Sequence, residues 1–312
     1  MPKFIRRSLL TMPMAIPVPD WALKAEADVL VLDSTSVKTR EGVSQPQVAQ
    51  AISDASRMGV EIFVRIGRQS AWADLELAVW PGLTGVVLLV EYPEQIHEVS
   101  QRLLELEQQR AISKGSLQID AEIGTATGVL NSLDIARSSP RLSALTVGET
   151  ALYQNLRLDS QANLDKDPLR FVKGQIIVNA RAAGLQAQGM SYPLSITLAE
   201  ADETELMRAV RRARDTGFKG AICPRPSWVK VCNEWFRPSQ DELAYYRKAS
   251  EVFEDGLRHG LASVPLEGRM IDVPVYRRAQ VFLEWGVACA RRDKEKTEST
   301  CRLIKNSTEP AN

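Results

Sequence analysis

Short apolar runs alternate along the chain with longer stretches of helical periodicity. The apolar runs are nearly continuous, which is typical of parallel strands that are buried on both faces. Between two of these runs, Gln95–Gln109 carries its apolar residues at the spacing of a single helical face. The pattern predicts eight strands with helices between them: Ser8–Met12, Val29–Asp33, Glu61–Ile66, Gly85–Leu89, Leu117–Ile123, Leu142–Val147, Leu185–Met190 and Gly220–Cys223.

Eight alternations of strand and helix indicate an α/β protein, either a closed barrel or a doubly wound sheet. The first predicted strand is not followed by the glycine-rich fingerprint of a dinucleotide fold, which favours the barrel. We therefore predict a (β/α)₈ TIM barrel over residues 1–238. A capping box at Ser239 and Glu242 opens a helical C-terminal extension over residues 239–290, which includes a second helix at Val275–Ala290. The polar tail, residues 291–312, is expected to be disordered.

The composition excludes several classes of protein. In 312 residues, 39 Lys and Arg balance 39 Asp and Glu, so no basic excess points to nucleic acid or to an anionic membrane. No apolar run is long enough for a transmembrane helix, and the first residues do not form a signal peptide. The four cysteines have no CxxC spacing and are expected to be reduced thiols. We expect a cytoplasmic protein that binds a small molecule.

In a barrel of this type, functional side chains gather at the carboxyl ends of the strands. Those ends supply Asp33 and Arg65, and further along the chain Thr125 and Gly148. A guanidinium pairs bidentately with a carboxylate, so Arg65 suits a ligand that bears a carboxylate. The alternative is that Asp33 and Arg65 form a structural ion pair across the mouth of the barrel.

Seven motifs carry a resemblance to a known family, in the same order along the chain. They run from about Arg6 to Val287 and read RRSLLTMP, ADVLVLD, VRI, GTATGVLNSLDIA, NARAAGL, ARDTGFKGAICPRPSWVKVCNEWFRPS and EGRMIDVPVYRRA. The set resembles the citrate lyase beta-subunit and malyl-CoA lyase family of the aldolase–citrate lyase superfamily.

The resemblance implies a carbon–carbon lyase of CoA esters such as citryl-, malyl- or citramalyl-CoA. It implies a homotrimer, or a hexamer of two trimers, in which the C-terminal segment reaches the site of a neighbouring copy. Arg65 matches the arginine that neutralises the enolate, and Asp272 matches the residue that transfers the proton in trans. Asp33, Arg65, Thr125 and Gly148 are the expected substrate-binding positions. The expected cofactor is Mg²⁺, held by one Glu and one Asp.

The sequence departs from the family pattern at the metal-binding positions. Gly124 and Ala151 stand where the metal-binding Glu and Asp belong, and Leu89-Val90 replaces a Pro-Lys pair after the fourth strand. Glu122 and Glu149 each lie two residues before a missing ligand and are the alternative ligands. If only the two carboxylates are missing, Gly124→Glu combined with Ala151→Asp should create Mg²⁺ affinity.

Two functions remain open at this point. The first is a divergent carbon–carbon lyase that acts on a hydroxyacyl-CoA or a small oxoacid without the usual metal carboxylates, which Arg65 and Asp272 favour. The second is a non-catalytic homologue that binds an acyl-CoA or a carboxylate, or that has a structural role. Gly124 and Ala151 favour the second function.

Overall fold

The computed structural model describes residues 5–35, 43–158, 167–190 and 203–308. The chain divides into two compact units, one built on Arg6–Phe236 and one on Arg237–Thr297. The larger unit contains the eight predicted strands, with ends that match the sequence pattern to within two residues. They are β1 (Ser8–Pro13), β2 (Val29–Asp33), β3 (Glu61–Ile66), β4 (Gly85–Leu89), β5 (Gln118–Ile123), β6 (Leu142–Val147), β7 (Gln186–Gln188) and β8 (Ala221–Cys223).

Helices connect these strands within the described part of the larger unit. Their apolar faces pack against the outer side of the sheet, in one continuous core with residues such as Leu32, Val86 and Ile119. The helices are α1 (Asp20–Leu23), α2 (Gln45–Arg57), α3 (Ala71–Ala78), α4 (Pro93–Gln109), α5 (Ala126–Leu130), α6 (Ser132–Arg137), α7 (Glu149–Asn155), α8 (Arg170–Ala182), α9 (Glu203–Thr216) and α10 (Pro226–Trp235).

The eight strands form one parallel sheet in the order β7-β6-β5-β4-β3-β2-β1-β8. A parallel bridge between Gln188 and Gly220 joins the two outer strands, so the sheet closes on itself. Gly220 has no room for a side chain, because a Cβ at this position would collide with the carbonyl oxygen of Arg6. This closed sheet with helices outside it confirms the predicted TIM-barrel fold.

The interior of the barrel is apolar on one side and polar on the other. Side chains from β1 to β4 form a buried cluster around Phe63, whereas the interior of β5 holds the buried carboxyl group of Asp120. Burial raises the pKa of Asp120, although the nearby Arg6 guanidinium opposes this shift. The side chain of Arg6 donates to Glu61 and to Gln118, each at 2.6 Å, and stacks over the ring of Phe63. A charged group therefore fills the amino-terminal end of the barrel.

The smaller unit contains two helices and a hairpin: α11 (Gln240–Arg258), β9 (Val264–Leu266), β10 (Arg269–Ile271) and α12 (Val273–Thr308). Its α11 begins at the predicted capping box, in which Ser239 Oγ accepts from the backbone N–H of Glu242. The antiparallel β9–β10 pair lies between the two helices, in an extension that was predicted to be helical. Phe253 packs in a small core with apolar residues of this hairpin.

The prediction of a disordered tail from residue 291 is corrected by the structure, in which α12 continues to Thr308. Pairs of opposite charge about one turn apart stabilise this part of the helix. Arg291 pairs with Glu295, and Asp293 pairs with Lys296. Residues 309–312 lie outside the described residues. Within the part of the chain that the structure describes, we find no helix with the length and apolar character needed to cross a membrane.

Candidate functional site

The carboxyl ends of β2, β3, β4 and β5 place four side chains at the mouth of the barrel. Asp33 pairs in register with Arg65, and Leu89 pairs in register with Glu122. Successive residues of a strand point to opposite faces, so these register partners share the inner face of the sheet. The mouth of the barrel at β2–β5 is therefore lined by two carboxylates, one guanidinium and one leucine.

The centre of this mouth is an ion pair between Arg65 and Glu122. The Nη2 atom of Arg65 donates to Oε1 of Glu122 at 2.5 Å and lies equally close to Oε2. Asp33 is further away, with its Oδ2 atom 3.9 Å from Nη1 of Arg65. Its other oxygen accepts hydrogen bonds from the backbone N–H and the hydroxyl group of Thr35. Arg65 is therefore paired mainly with Glu122 and only loosely with Asp33.

Glu122 is almost fully enclosed, since its side chain is only 4% exposed whereas that of Arg65 is 29% exposed. Burial raises the pKa of Glu122, against the influence of Arg65, and the negative charge of Asp33 adds to the increase. The carboxyl group packs against the backbone of Gly148, where a Cβ would lie 2.8 Å from Oε1 of Glu122. The glycine at position 148 therefore leaves the space that the Glu122 side chain occupies.

Gly124 and Ala151, the two positions where the family resemblance implies metal ligands, lie next to each other. A Cβ on Gly124 would lie 2.7 Å from the Cβ of Ala151 and 2.6 Å from Cδ1 of Leu89. Neither side chain supplies an oxygen ligand, and Leu89 and Ala151 both pack against Gly124. Among the described residues, no group of three or more Asp, Glu, His or Cys side chains is arranged to hold a metal ion. The residues present here do not fit a Mg²⁺ ion, which needs oxygen ligands in near-octahedral geometry.

Glu149, the other alternative metal ligand, is held in a separate buried cluster between α7 and α8. The Nζ atom of Lys173 lies 2.5 Å from Oε1 of Glu149 and 2.8 Å from Oδ2 of Asp167. Burial, together with the carboxylates of Glu149 and Asp167, raises the pKa of the neighbouring Tyr153 to about 12. The structure thus gives Glu149 an ammonium partner and Glu122 a guanidinium partner, and the two carboxylates do not converge on one point.

Thr125 and Gly148, the two remaining substrate-binding candidates, begin short helices at the mouth. The Oγ1 atom of Thr125 accepts from the backbone N–H of Gly128 at 3.1 Å and caps α5. The backbone N–H of Gly148 donates to the carbonyl oxygen of Ile123. Both residues therefore shape the backbone beside Glu122.

A second ion pair, between Arg68 and Glu91, lies at the edge of the barrel mouth. The hydrogen bond from Arg68 holds the pKa of Glu91 below its usual range, and a hydrogen bond with Thr125 acts in the same direction. Arg68 lies two residues after the end of β3, and Glu91 lies two residues after the end of β4. Both charges therefore belong to loops at the same end of the barrel as Arg65. The sequence analysis did not single out this pair, although its position after two strand ends was a usable signal.

Asp272 belongs to the smaller unit, directly before the first residue of α12. Its Oδ1 atom accepts a hydrogen bond from the backbone N–H of Val275 at 3.1 Å, and its carbonyl oxygen accepts from the N–H of Tyr276. This is the geometry of a helix N-cap. Asp272 therefore has a local structural role that the sequence analysis did not foresee.

The chain is similar to known proteins over most of its length. The family model that matches is described as HpcH/HpaI aldolase/citrate lyase, over residues 19–226. Citrate lyase subunit beta of Escherichia coli strain K12 is 28% identical over 285 residues, which is 89% of this chain and 92% of that protein. Rat mitochondrial citramalyl-CoA lyase is 24% identical over 273 residues, 83% of this chain and 78% of that protein.

A solved structure with a similar fold is that of the CitE protein of Mycobacterium tuberculosis in complex with magnesium, acetoacetate and coenzyme A. The two share 24% sequence identity with a TM-score of 0.61, and the match covers 92% of this chain and 99% of that one. At this identity the likeness concerns the fold, which is the barrel described above.

Proposed function

The chain belongs to the HpcH/HpaI aldolase/citrate lyase family, and on this premise we propose that it acts on a hydroxyacyl-CoA or a small oxoacid as a carbon–carbon lyase. The observation that carries the proposal is the position of Arg65, whose partly exposed guanidinium lies at the carboxyl end of β3 within the barrel mouth. Two relatives support the substrate class by name, one a citrate lyase subunit and one a citramalyl-CoA lyase.

The chemistry follows from the charge that develops during the reaction. Cleavage of a carbon–carbon bond next to a carbonyl leaves an enolate, and a guanidinium placed at its oxygen lowers the barrier. Arg65 is the residue that would stabilise this oxygen or bind the substrate carboxylate. A family member with Mg²⁺ would gain a Lewis acid at the same carbonyl, but Gly124, Ala151 and Leu89 do not fit the ion. The proposal therefore assigns no step to a metal.

Replacing Arg65 with alanine should weaken the binding of acetoacetate and of citramalyl-CoA by about tenfold to a hundredfold. A hydrogen bond to a charged group contributes about 1.5–3 kcal/mol, and the truncated side chain cannot make it. Isothermal titration calorimetry measures the loss. The matched control is Arg57→Ala, which removes an exposed guanidinium from α2 and should leave both affinities unchanged. Equal binding by the Arg65→Ala protein would show that the ligand binds elsewhere.

The assignment of Asp272 as the proton-transferring residue requires a second copy of the chain, because the family resemblance places that residue in a neighbour's site. We expect a homotrimer, or a hexamer of two trimers, with Asp272 of one copy near Arg65 of another. Light scattering at micromolar concentration should then give three or six times the 34.6 kDa of one chain. A stable monomer at that concentration would contradict this assignment.

The alternative function is a homologue that binds an acyl-CoA or a carboxylate without cleaving it. The specific observation that favours it is the apolar environment of Gly124, against which Leu89 and Ala151 pack in place of metal ligands. Incubation of the protein with citramalyl-CoA separates the two functions. Tight binding without release of pyruvate or acetyl-CoA would support the alternative, and steady turnover would support the lyase.

A further inference from the structure

The polar side of the barrel interior contains two buried side-chain atoms with opposite hydrogen-bonding needs. They are Oδ2 of Asp120, an acceptor, and Nε2 of Gln188, a donor, and both residues are 0% exposed. Neither atom makes a hydrogen bond with any described residue. Buried polar groups in proteins are nearly always satisfied, either by the protein itself or by ordered water. These two atoms therefore require a partner that the described residues do not supply.

The other polar atoms of the two side chains are already engaged, which fixes the direction of the remaining ones. Oδ1 of Asp120 accepts a hydrogen bond from the hydroxyl group of Ser143. Oε1 of Gln188 accepts one from the hydroxyl group of Thr146 at 2.7 Å. Asp120 lies on β5 and Gln188 on β7, which are the two neighbours of β6 in the sheet. Oδ2 and Nε2 are thus held in the interior on either side of one strand.

The two side chains face each other without touching. Burial raises the pKa of Asp120 most strongly, and the Gln188 amide is close enough to oppose this shift as a donor. It is nevertheless too far away for a direct hydrogen bond. Ala144, the register partner of Asp120 on the intervening β6, has only a methyl group as its side chain and leaves space there. A polar contact longer than a direct hydrogen bond is the geometry that a bridging water produces.

We propose that Asp120 and Gln188 bind one water molecule inside the barrel, which accepts from Nε2 of Gln188 and donates to Oδ2 of Asp120. Water fits because it both donates and accepts, whereas an ion does neither or only one. A cation is disfavoured by the guanidinium of Arg6, whose Nη1 lies 3.7 Å from Oδ1 of Asp120. An anion is disfavoured by the carboxyl group of Asp120 itself. This site does not depend on the proposed function.

The water completes a chain of hydrogen bonds that leads towards the mouth of the barrel. The chain runs from Asp120 through the water and Gln188 to Thr146. Thr146 is the register partner of Glu122 on β5 and so lies at the level of the mouth. A buried polar network whose members are all satisfied rigidifies the core around it. We therefore expect the water to rigidify the interior directly below the mouth.

A crystal structure of the unmodified protein, at a resolution that shows ordered water, tests the proposal. One density peak should lie about 2.7–3.2 Å from both Nε2 of Gln188 and Oδ2 of Asp120. Crystals soaked in rubidium bromide should show no anomalous signal at this position, because the site excludes both ions. A direct bond between the two side chains, with no peak between them, would overturn the proposal. An anomalous peak would overturn it as well, by showing that the ligand is an ion.

Gln188→Met removes the donor but keeps the length of the side chain, so this variant should lose the density peak. Magnetic relaxation dispersion of the solvent should show the same loss in solution, as one fewer long-lived internal water. The matched control is Gln186→Met on the same strand, because the amide of Gln186 already donates directly to the carbonyl oxygen of Arg6 at 2.6 Å. The control should keep the water.

A second variant keeps the test open if Gln188→Met does not fold. Ala144→Val fills the space beside β6 and leaves both polar atoms in place, so it should also lose one long-lived water. An unchanged number of long-lived waters in either folded variant would contradict the proposal.

Discussion

The Lys173→Met variant should unfold with a free energy about 3–5 kcal/mol lower than that of the unmodified protein. Lys173 is 3% exposed, and its ammonium group contacts the carboxylates of both Glu149 and Asp167. Methionine has a similar length but no charge, so both carboxylates lose this cation while they stay largely out of water. Removing one partner of a buried ion pair commonly costs this much. Urea denaturation followed by circular dichroism measures the change.

The control for this variant is Lys248→Met. Lys248 pairs with Glu267 at 2.8 Å, but both side chains are more than half exposed. Water screens and replaces such a pair, so its loss should change the free energy of unfolding by less than about 1 kcal/mol. Similar losses in the two variants would mean that burial does not strengthen the Lys173 cluster, and the description of that cluster would have to be revised.

The unmodified protein should give no binding heat with Mg²⁺ at millimolar concentration, and the Gly124→Glu, Ala151→Asp double variant should not gain it. The sequence suggested that two carboxylates were all that the site lacked. The crowding at this position is the reason to expect otherwise, because a Cβ on Gly124 already comes within 2.7 Å of the Cβ of Ala151 and within 2.6 Å of Leu89. Overpacking of this kind costs about 1–3 kcal/mol of stability. Calorimetry and thermal unfolding measure the two effects.

Gly174→Glu provides the matched control for the introduced side chain. Gly174 lies on the exposed side of α8, and a Cβ there meets nothing within 4 Å. The same substitution should be neutral or slightly stabilising at that position, since glycine is unfavourable in a helix. Strong Mg²⁺ binding by the unmodified protein would contradict the conclusion that the residues around Gly124 do not fit the ion. The variants Glu122→Gln and Glu149→Gln would then identify which carboxylate holds it.

The fold could be predicted closely from the sequence because its signals are local. The strands β2, β3, β4 and β6 have the predicted bounds, since each is a short run of apolar residues with a clear end. The length of α12 was harder to predict. Its last part has almost no apolar face, and pairs such as Arg291 with Glu295 hold residues together only once the helix has formed.

The candidate site could be predicted only in part. Asp33 and Arg65 were found because each stands at a strand end, which is visible in the sequence. The pairing of Arg65 with Glu122 depends on the relative level of two strands that are not neighbours, and this is fixed by the stagger of the closed barrel. Nothing in the sequence indicated that Lys173 is buried, because lysine is almost always exposed.

The position of β1 between β2 and β8 also has a consequence for synthesis on the ribosome. Ser8 pairs with Ala221, so the first strand keeps one open edge until more than 200 further residues have been made. An open apolar edge is a template for aggregation, and charged residues beside it discourage such contacts. Arg6 and Arg7, which the folded barrel buries, stand next to this edge in the growing chain. We therefore expect the two arginines to discourage contacts of the nascent strand with other chains before the barrel closes.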